Sequence, residues 1–196
     1  MSRLFDDAQS EYLEINQAVL SGTPLAMVCL FNTDELDNIK TLMCISDKDI
    51  SDVSFWLALH SNDTVFCGTE GGGVGYYAYT TSDYSADTWQ HACGIFASAT
   101  DRRVLIDGGN KGTNADAATP AGLDRTSIGV WGSGGHSYYM SGKIAEAAIY
   151  DLSVWPGATA ADKADNFEKI LLSLIKYTPS AYPLGRVAYW DLVRND

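Results

Sequence analysis

The chain has 196 residues, of which 46% are hydrophobic and 18 are glycine, and this length and composition fit one globular domain with a substantial core. Its 13 lysines and arginines are outnumbered by 25 aspartates and glutamates, which gives a formal net charge of −12. Because phosphate groups are bound by clustered cationic side chains, this charge argues against nucleic acid and anionic membrane surfaces as partners.

Short apolar runs rich in β-branched and aromatic residues recur through the first 150 residues, with turn-forming residues between them. Many short strands without an intervening helix are typical of a sandwich or barrel. The predicted strands are Glu11–Ile15, Leu25–Asn32, Lys40–Ile45, Ser54–His60, Thr64–Cys67, Val74–Thr80, Trp89–Phe96, Arg103–Ile106, Ser127–Trp131 and Lys143–Tyr150.

The stretch from Trp89 to Gly108 combines a strand, a polar turn and a second strand that ends in Asp107-Gly108. Asp-Gly tolerates positive φ and suits a tight hairpin, so we expect the chain to reverse into Lys111–Ala115. We interpret Trp89 and His91 as packed core residues. The hairpin therefore indicates the fold and says little about a ligand.

One helical pattern follows the strands. Thr159 is a candidate N-cap with Asp162 three residues later, and Pro179 ends the pattern. We expect its apolar stripe to pack on the sandwich. The stripe consists of Ala164, Phe167, Ile170, Leu171, Leu174 and Ile175.

The run Arg186–Val193 predicts a final short strand. The organisation that follows is a sandwich over residues 1–155 and a C-terminal helix and strand over residues 156–196. This second part is expected to pack on the sandwich or on a partner.

Cysteine usage and the first residues of the chain indicate a reducing compartment. The four cysteines lie in or beside apolar runs, where a free thiol behaves as a small buried hydrophobe, and we predict that all are reduced: Cys29, Cys44, Cys67 and Cys93. Residues 1–7 lack the basic and apolar regions of a secretory signal, and no apolar run approaches the roughly 18 residues of a membrane span. Export by the usual route is therefore not expected.

The order of several segments resembles the laminin-G-like branch of the concanavalin A-like lectins and glucanases, over about residues 3–155. This resemblance implies an all-β, two-sheet antiparallel jelly roll that binds sugar, protein or calcium in different members, or hydrolyses glycans. The segments that carry it are Phe5–Asp7, Tyr12-Leu13, Pro24–Phe31, Trp89–Ala92, Ile106–Gly108, Ser127–Gly129 and Met140–Tyr150.

Hydrolysis in the glucanase branch requires two carboxylates on one strand face, in a Glu-x-Asp-x-x-Glu arrangement or a close variant. The chain contains no such motif. We therefore assign no catalytic residues and predict a protein that is not an enzyme, with a divergent or inactive hydrolase as the third hypothesis.

Calcium is the one cofactor that the sequence leaves open. Asp47, Asp49 and Asp52 form the densest acidic loop and offer the oxygen ligands that calcium prefers. Lys48 lies among them, and a solvated acidic turn is the alternative.

A sugar site requires exposed aromatic rings beside polar groups, and two loop regions supply them. Strand alternation places Tyr77 and Tyr79 on one face and Tyr76 on the other, so some of these rings belong to the core. The candidate sugar-binding residues are Tyr77, Tyr84, Trp131, His136, Tyr138 and Tyr139.

The first functional hypothesis combines a lectin-like fold with the lack of an export signal. A virion component is assembled in the host cytoplasm and released by lysis, and the C-terminal part of the chain is similar to stand-alone phage jelly rolls. This hypothesis predicts a capsid or tail decoration protein on the virion surface, with capsid or tail subunits as partners. The alternative is an extracellular glycan-binding module, and assembly into a homo-oligomer is compatible with both.

Overall fold

The structure is a computed structural model that describes residues 2–174 and 182–192. The strands are β1 Arg3–Phe5, β2 Leu13–Ile15, β3 Leu25–Asn32, β4 Lys40–Ser46, β5 Val53–Leu59, β6 Thr64–Gly71, β7 Gly75–Asp83, β8 Gln90–Ser98, β9 Asp101–Ile106, β10 Gly109–Asn114, β11 Arg125–Ile128, β12 Gly142–Asp151 and β13 Arg186–Asp191. The helix α1 spans Ala160–Leu174, and single 3₁₀ turns cover Asp7–Gln9 and Leu152–Val154.

The strands form two antiparallel sheets. In the described residues, the first sheet has seven strands in the order β1-β12-β3-β8-β9-β10, and β13 also pairs with β12. The second sheet, again over the described part of the chain, has six strands in the order β2-β11-β4-β5-β6-β7. This architecture confirms the predicted all-β sandwich with one late helix and a final short strand.

The inner faces of the two sheets enclose the main core, because alternate residues of each strand point to the same side. Fully buried members from the first sheet include Met27, Phe31 and Phe96, and those from the second include Leu57 and Val65. Burial of these aliphatic and aromatic side chains is the main stabilising contribution to the sandwich.

The Asp107-Gly108 hairpin is confirmed. Both residues have positive φ, 49° and 73°, and the chain reverses from β9 into β10 at this point. The side chain of Asp107 accepts a hydrogen bond from the backbone N–H of His91 at 2.8 Å, so the turn is also fixed to β8. The burial of His91 is confirmed, since this residue is 6% exposed.

The prediction that Trp89 belongs to the core is wrong. Trp89 precedes β8 and is 44% exposed, and it lines a shallow surface depression together with Leu30 and Lys143. The position continues the alternation of β8 onto the outer face of the first sheet, and there the described residues leave the ring partly open to solvent.

Helix α1 covers part of the outer face of the seven-stranded sheet, which confirms the predicted packing. Phe167 and Ala164 lie in one cluster with Val28, Ile95 and other strand residues. At the start of the helix, Thr159 Oγ1 accepts from the N–H of Asp162 at 3.1 Å, while the Asp162 carboxylate accepts from the N–H of Thr159 at 2.9 Å. Hydrogen bonds from the hydroxyl and the N–H of Thr159 lower the pKa of Asp162, and the reciprocal capping confirms the predicted N-cap.

Two predicted boundaries extend past the described residues. Ile175 and Pro179 of the helical pattern lie outside them, as does Val193 at the end of the predicted last strand. The described part of that strand, β13, joins the edge of the first sheet.

The strand predicted as Ser127–Trp131 lies instead at Arg125–Ile128. Gly129 ends it, because this residue has φ 77°, which is incompatible with a continuing strand. Trp131 therefore leaves the sheet and enters a loop, where its backbone exchanges two hydrogen bonds with Ser137.

All four cysteines are free and buried, as predicted. Burial raises the pKa of each thiol, to about 12 for Cys44 and Cys67. Thiols in this environment are inert structural groups.

Candidate functional site

The outer face of the six-stranded sheet carries a row of aromatic side chains. Alternation along the strands places Trp56 of β5, Phe66 of β6 and both Tyr77 and Tyr79 of β7 on this face. Tyr76 turns to the other side, where its ring lies 5.9 Å from the guanidinium of Arg102. The predicted division of these tyrosines between the two faces is confirmed.

Trp56 forms the floor of the row. It is 5% exposed, and its indole N–H donates to Thr41 Oγ1 at 3.0 Å. The ring of Phe66 meets it edge-on with 4.8 Å between centroids, and the ring of Tyr138 stacks on it at 5.5 Å. Such pairs hold the rings in fixed orientations.

Two aromatic side chains reach this face from the loop between β11 and β12. Trp131 lies 5.8 Å from Trp56, and Tyr138 lies 6.0 Å from Trp131, between ring centroids. The backbone of Tyr138 has φ 51°, a costly conformation for a bulky residue, and its carbonyl accepts from the N–H of Thr41 at 2.9 Å. This constraint holds a 44% exposed ring over the sheet.

Two glycines leave room for Tyr77. A Cβ at Gly68, its cross-strand neighbour, would lie 2.4 Å from the tyrosine ring, and a Cβ at Gly75 would lie 2.2 Å from its hydroxyl. Tyr77 therefore lies close against the backbone of the sheet, in a space that no larger residue at these two positions would permit.

A buried carboxylate joins the aromatic groups. Glu70 of β6 is 4% exposed, and it accepts from Ser54 Oγ at 2.6 Å, from the Tyr77 hydroxyl at 2.7 Å and from the Trp131 indole N–H at 3.3 Å. Burial and the bond to Glu70 raise the pKa of Tyr77, so this tyrosine is a neutral donor at physiological pH. The network fixes Tyr77 and Trp131 relative to each other.

These groups enclose a cleft of about 270 Å³, which we call the aromatic cleft. This volume suits a small ligand or one end of a longer one. The residues that line it are Ile39, Asp52, Trp56, His60, Phe66, Glu70, Tyr77, Tyr79, Trp131 and Tyr138.

Three of the six predicted sugar-binding residues line the aromatic cleft: Tyr77, Trp131 and Tyr138. Tyr77 comes from a strand and the other two from the loop after β11. The structure therefore brings together residues more than 50 positions apart in the sequence.

Two others, His136 and Tyr139, lie in a separate cluster beside β2. His136 stacks on Tyr12 with 4.6 Å between centroids, and its Nε2 lies 2.7 Å from Glu14 Oε2. Tyr139 is 6.1 Å from Tyr12. Neither His136 nor Tyr139 lines the aromatic cleft.

The prediction for Tyr84 is wrong. Its side chain is 3% exposed and lies in the main core, edge-on to Phe31 at 6.3 Å. The residue follows the end of β7, where the chain turns inward, so the ring is not accessible to a sugar.

Sequence reasoning missed Trp56, Phe66, Glu70 and Asp52 as members of the site. The sequence pattern that could have indicated Trp56 is that of β5, which is apolar at six of its seven positions instead of alternating with polar residues. In an antiparallel sheet such a run indicates that both faces are occupied, either by packing or by a binding surface.

The acidic loop is held by local hydrogen bonds. Asp47 Oδ1 accepts from the N–H groups of Asp49 and Ile50, at 2.8 and 3.0 Å. Lys48 pairs with Asp49 at 2.8 Å and with Asp124 at 2.5 Å. Among the described residues, no group of three or more His, Cys, Asp or Glu side chains is placed to hold a metal ion.

Calcium at Asp47, Asp49 and Asp52 stays a prediction. If these residues bind it, calcium raises the melting temperature and a chelator reverses the change, because a ligand that binds only the folded state stabilises it. A melting temperature that neither calcium nor chelator alters would contradict this hypothesis.

None of the helices in the described part of the chain is both long enough and apolar enough to cross a membrane.

Comparison with solved structures finds similar folds in several proteins. The CBM40 module of the Ruminococcus gnavus IT-sialidase, bound to α2,3-sialyllactose, matches with a TM-score of 0.59 and 16% identity over 72% of this chain and 89% of that module. A heptameric SAP-like pentraxin from Limulus polyphemus matches with a TM-score of 0.57 and 14% identity, over 78% and 73% of the two chains.

The NanB sialidase of Streptococcus pneumoniae matches with a TM-score of 0.64 and 14% identity, over 76% of this chain and 25% of the sialidase. The chain thus spans about a quarter of the length of that enzyme. At these identities the likeness shows the fold alone. A search of the curated proteins found no match.

Assignment to a family comes from the sequence itself. A family model described as the concanavalin A-like lectin/glucanases superfamily matches residues 7–156. These residues contain the strands β2 to β12 and the whole aromatic cleft. The chain therefore belongs to the concanavalin A-like lectin/glucanases superfamily, in its laminin-G-like branch.

Proposed function

We propose that this protein is a glycan-binding module that holds a sugar in the aromatic cleft without hydrolysing it. The observation that carries the proposal is the aromatic cleft, where Trp56, Trp131 and Tyr138 surround a space bordered by the buried carboxylate of Glu70.

The chemistry of the cleft matches that of a sugar. A pyranose ring has an apolar C–H face and a polar rim of hydroxyl groups. Rigid aromatic rings such as Trp131 and Tyr138 offer flat apolar surfaces to the first, and the exposed Asp52 and the Glu70 carboxylate offer hydrogen-bond acceptors to the second. A few polar groups on an apolar floor are the usual composition of a specific small-molecule site.

The similar folds support this ligand class. CBM40 is a binding module whose structure holds a sialylated sugar, and it is matched over most of its length. The lack of a Glu-x-Asp-x-x-Glu pattern in the sequence supports binding without hydrolysis.

Alanine substitutions in the cleft test the proposal. Removing the ring of Trp131 or Tyr138 is expected to weaken glycan binding about tenfold or more, which corresponds to about 1.4 kcal/mol or more, because each ring is a central contact. Tyr139→Ala is the matched control, since this ring projects from the same loop but lies outside the cleft, and it should leave affinity within about twofold. Binding is measured first on a broad glycan array and then by calorimetry with the best ligand.

Two results would contradict glycan binding in the cleft. One is an array on which the folded protein binds no glycan. The other is an affinity that Trp131→Ala and Tyr138→Ala leave unchanged while Tyr139→Ala reduces it, which would move the site to the cluster around Tyr12.

A role on the virion surface is the finer form of the proposal, and it rests on the sequence alone. In this form the domain decorates a capsid or tail, and the aromatic cleft binds a glycan of the host surface. Co-purification with particles tests it. A chain that never associates with any particle would count against the virion role without affecting glycan binding.

A further inference from the structure

We infer that the aromatic cleft selects a glycan that carries a protonated amine, such as an oligosaccharide of glucosamine, over neutral and acidic glycans. This inference rests on the proposed function and names the ligand class of the same site.

The first observation is the sign of the charge in the cleft. Asp52 and Glu70 are the charged side chains among the described residues that line it, and no lysine or arginine does. The overall net charge of −12 adds a field of the same sign at longer range. A carboxylate-bearing sugar would be repelled, and an ammonium group would be attracted.

The second observation is that, among the described residues, these two carboxylates have no ion pair with a lysine or arginine. In the part of the chain that the structure describes, the ion pairs of Lys40, Lys48 and Arg125 are made with other acidic residues. Neither Asp52 nor Glu70 has an ion pair with a lysine or arginine there. A cationic ligand would supply the missing charge.

The third observation is the burial of Glu70. At 4% exposure, its charge is poorly screened by water and salt, so its attraction for a nearby cation is stronger than that of a surface carboxylate. Its three donors are all neutral groups, Ser54, Tyr77 and Trp131, and they stabilise the carboxylate without cancelling its charge.

The fourth observation is the aromatic wall. Trp56, Trp131 and Tyr138 all line the cleft, and the ring of Tyr138, which stacks on Trp56, belongs to a residue that is 44% exposed. The negative face of an aromatic ring attracts a cation within about 6 Å of its centroid, and tryptophan does so most strongly. Aromatic rings and carboxylates together therefore favour an ammonium group that remains attached to an apolar ring.

The experiment compares three probes of different charge on the full chain by calorimetry. Chitosan tetrasaccharide carries free amines, chitin tetrasaccharide is its neutral N-acetylated form, and sialyllactose is anionic. At pH 6 and low salt, the aminated form is expected to bind at least tenfold more tightly than the neutral form, and sialyllactose is expected to bind least.

Charge-removing variants then test the cause. Glu70→Gln is expected to reduce the ratio of aminated to neutral affinity about tenfold, and Asp52→Asn to reduce it less, because Asp52 is solvent-exposed. Asp83→Asn is the matched control: it removes the same charge from an exposed position of β7 that does not line the cleft. If Glu70→Gln fails to fold, Asp52→Asn alone decides, since no packing depends on this exposed side chain.

Three results would each overturn the inference. The first is equal affinity for the two tetrasaccharides, and the second is tighter binding of sialyllactose. The third is a preference for the aminated form that Asp52→Asn changes no more than Asp83→Asn does. Binding of a neutral or acidic glycan that Trp131→Ala abolishes would leave the proposed function standing. The absence of binding to all three probes and to the glycan array would overturn both.

Discussion

Replacing Gly112 by alanine is expected to destabilise the fold by about 3 kcal/mol or more. Gly112 lies in β10, at the edge where the two sheets meet, and a Cβ there would lie 1.6 Å from the carbonyl oxygen of Tyr79 and 2.5 Å from its carbonyl carbon. Both are backbone atoms, so no change of rotamer relieves the clash and β7 must move. Urea denaturation of the two proteins measures the difference.

Gly109→Ala is the control on the same strand. Its added methyl group would meet no atom within 4 Å, and its φ is not positive, so we expect a change within about 0.5 kcal/mol. Because Tyr79 also lines the aromatic cleft, Gly112→Ala should weaken glycan binding in addition to stability. A Gly112→Ala protein as stable as the Gly109→Ala protein would contradict the close approach of β10 and β7.

Stability is expected to fall by roughly 3 kcal/mol between pH 6.5 and pH 4 because of His91. Burial lowers the pKa of this histidine to about 4, and the negative charge of Asp107 only partly opposes the effect. In that window the unfolded chain takes up a proton that the folded chain does not. The stabilising contribution is thus complete above pH 6.5 and is lost as the pH falls towards 4.

The carboxylates with lowered pKa contribute to the pH dependence of stability in a different pH range. Asp7 and Asp101 have their pKa held below 3.8 by Lys40 and Arg103, so their contribution is lost only in stronger acid. The two effects can therefore be separated in a single pH series.

His91→Leu should flatten the dependence between pH 6.5 and pH 4. Both ring nitrogens of His91 lack a hydrogen-bond partner among the described residues, so an apolar replacement breaks no bond there. His60→Gln is the control, because His60 lies near the surface, with its Nδ1 2.8 Å from Asn62 Oδ1. Denaturant unfolding at several pH values measures the slope. A His91→Leu protein that keeps the full slope would contradict the burial of a neutral imidazole.

Local chemistry allowed much of the fold to be predicted. Asp107-Gly108 fixes a hairpin through backbone preferences alone, and Thr159 with Asp162 fixes a helix start through hydrogen bonds between near neighbours. Features of this kind depend on a few adjacent residues and can therefore be recognised in a single sequence.

The candidate site could be predicted only in part, because its members meet through tertiary structure. The sequence indicates Trp131 and Tyr138 as loop aromatics, but it also predicts a strand that reaches Trp131, and in the structure this strand ends at Ile128, before Gly129. Trp56 is buried in the middle of an apolar strand, and periodicity does not distinguish such a residue from one of the main core.

Tyr84 and Trp89 show that the burial of residues beside strand ends is hard to predict from the sequence. The sequence predicts an accessible ring for Tyr84 and a core position for Trp89, but Tyr84 lies in the core and Trp89 is 44% exposed. Tyr84 follows β7 at a point where the chain turns inward, whereas Trp89 precedes β8 and continues the alternation of that strand onto the outer face of the first sheet.

Nuclear magnetic resonance of the five tryptophan indole N–H groups tests where a glycan binds. During titration with the best glycan ligand, we expect the signals of Trp56 and Trp131 to shift in a saturable way, because both line the aromatic cleft. Trp89 and Trp155 lie at the other sheet and should not move. Shifts confined to those two tryptophans, or saturable binding that shifts neither Trp56 nor Trp131, would contradict a glycan site in the aromatic cleft.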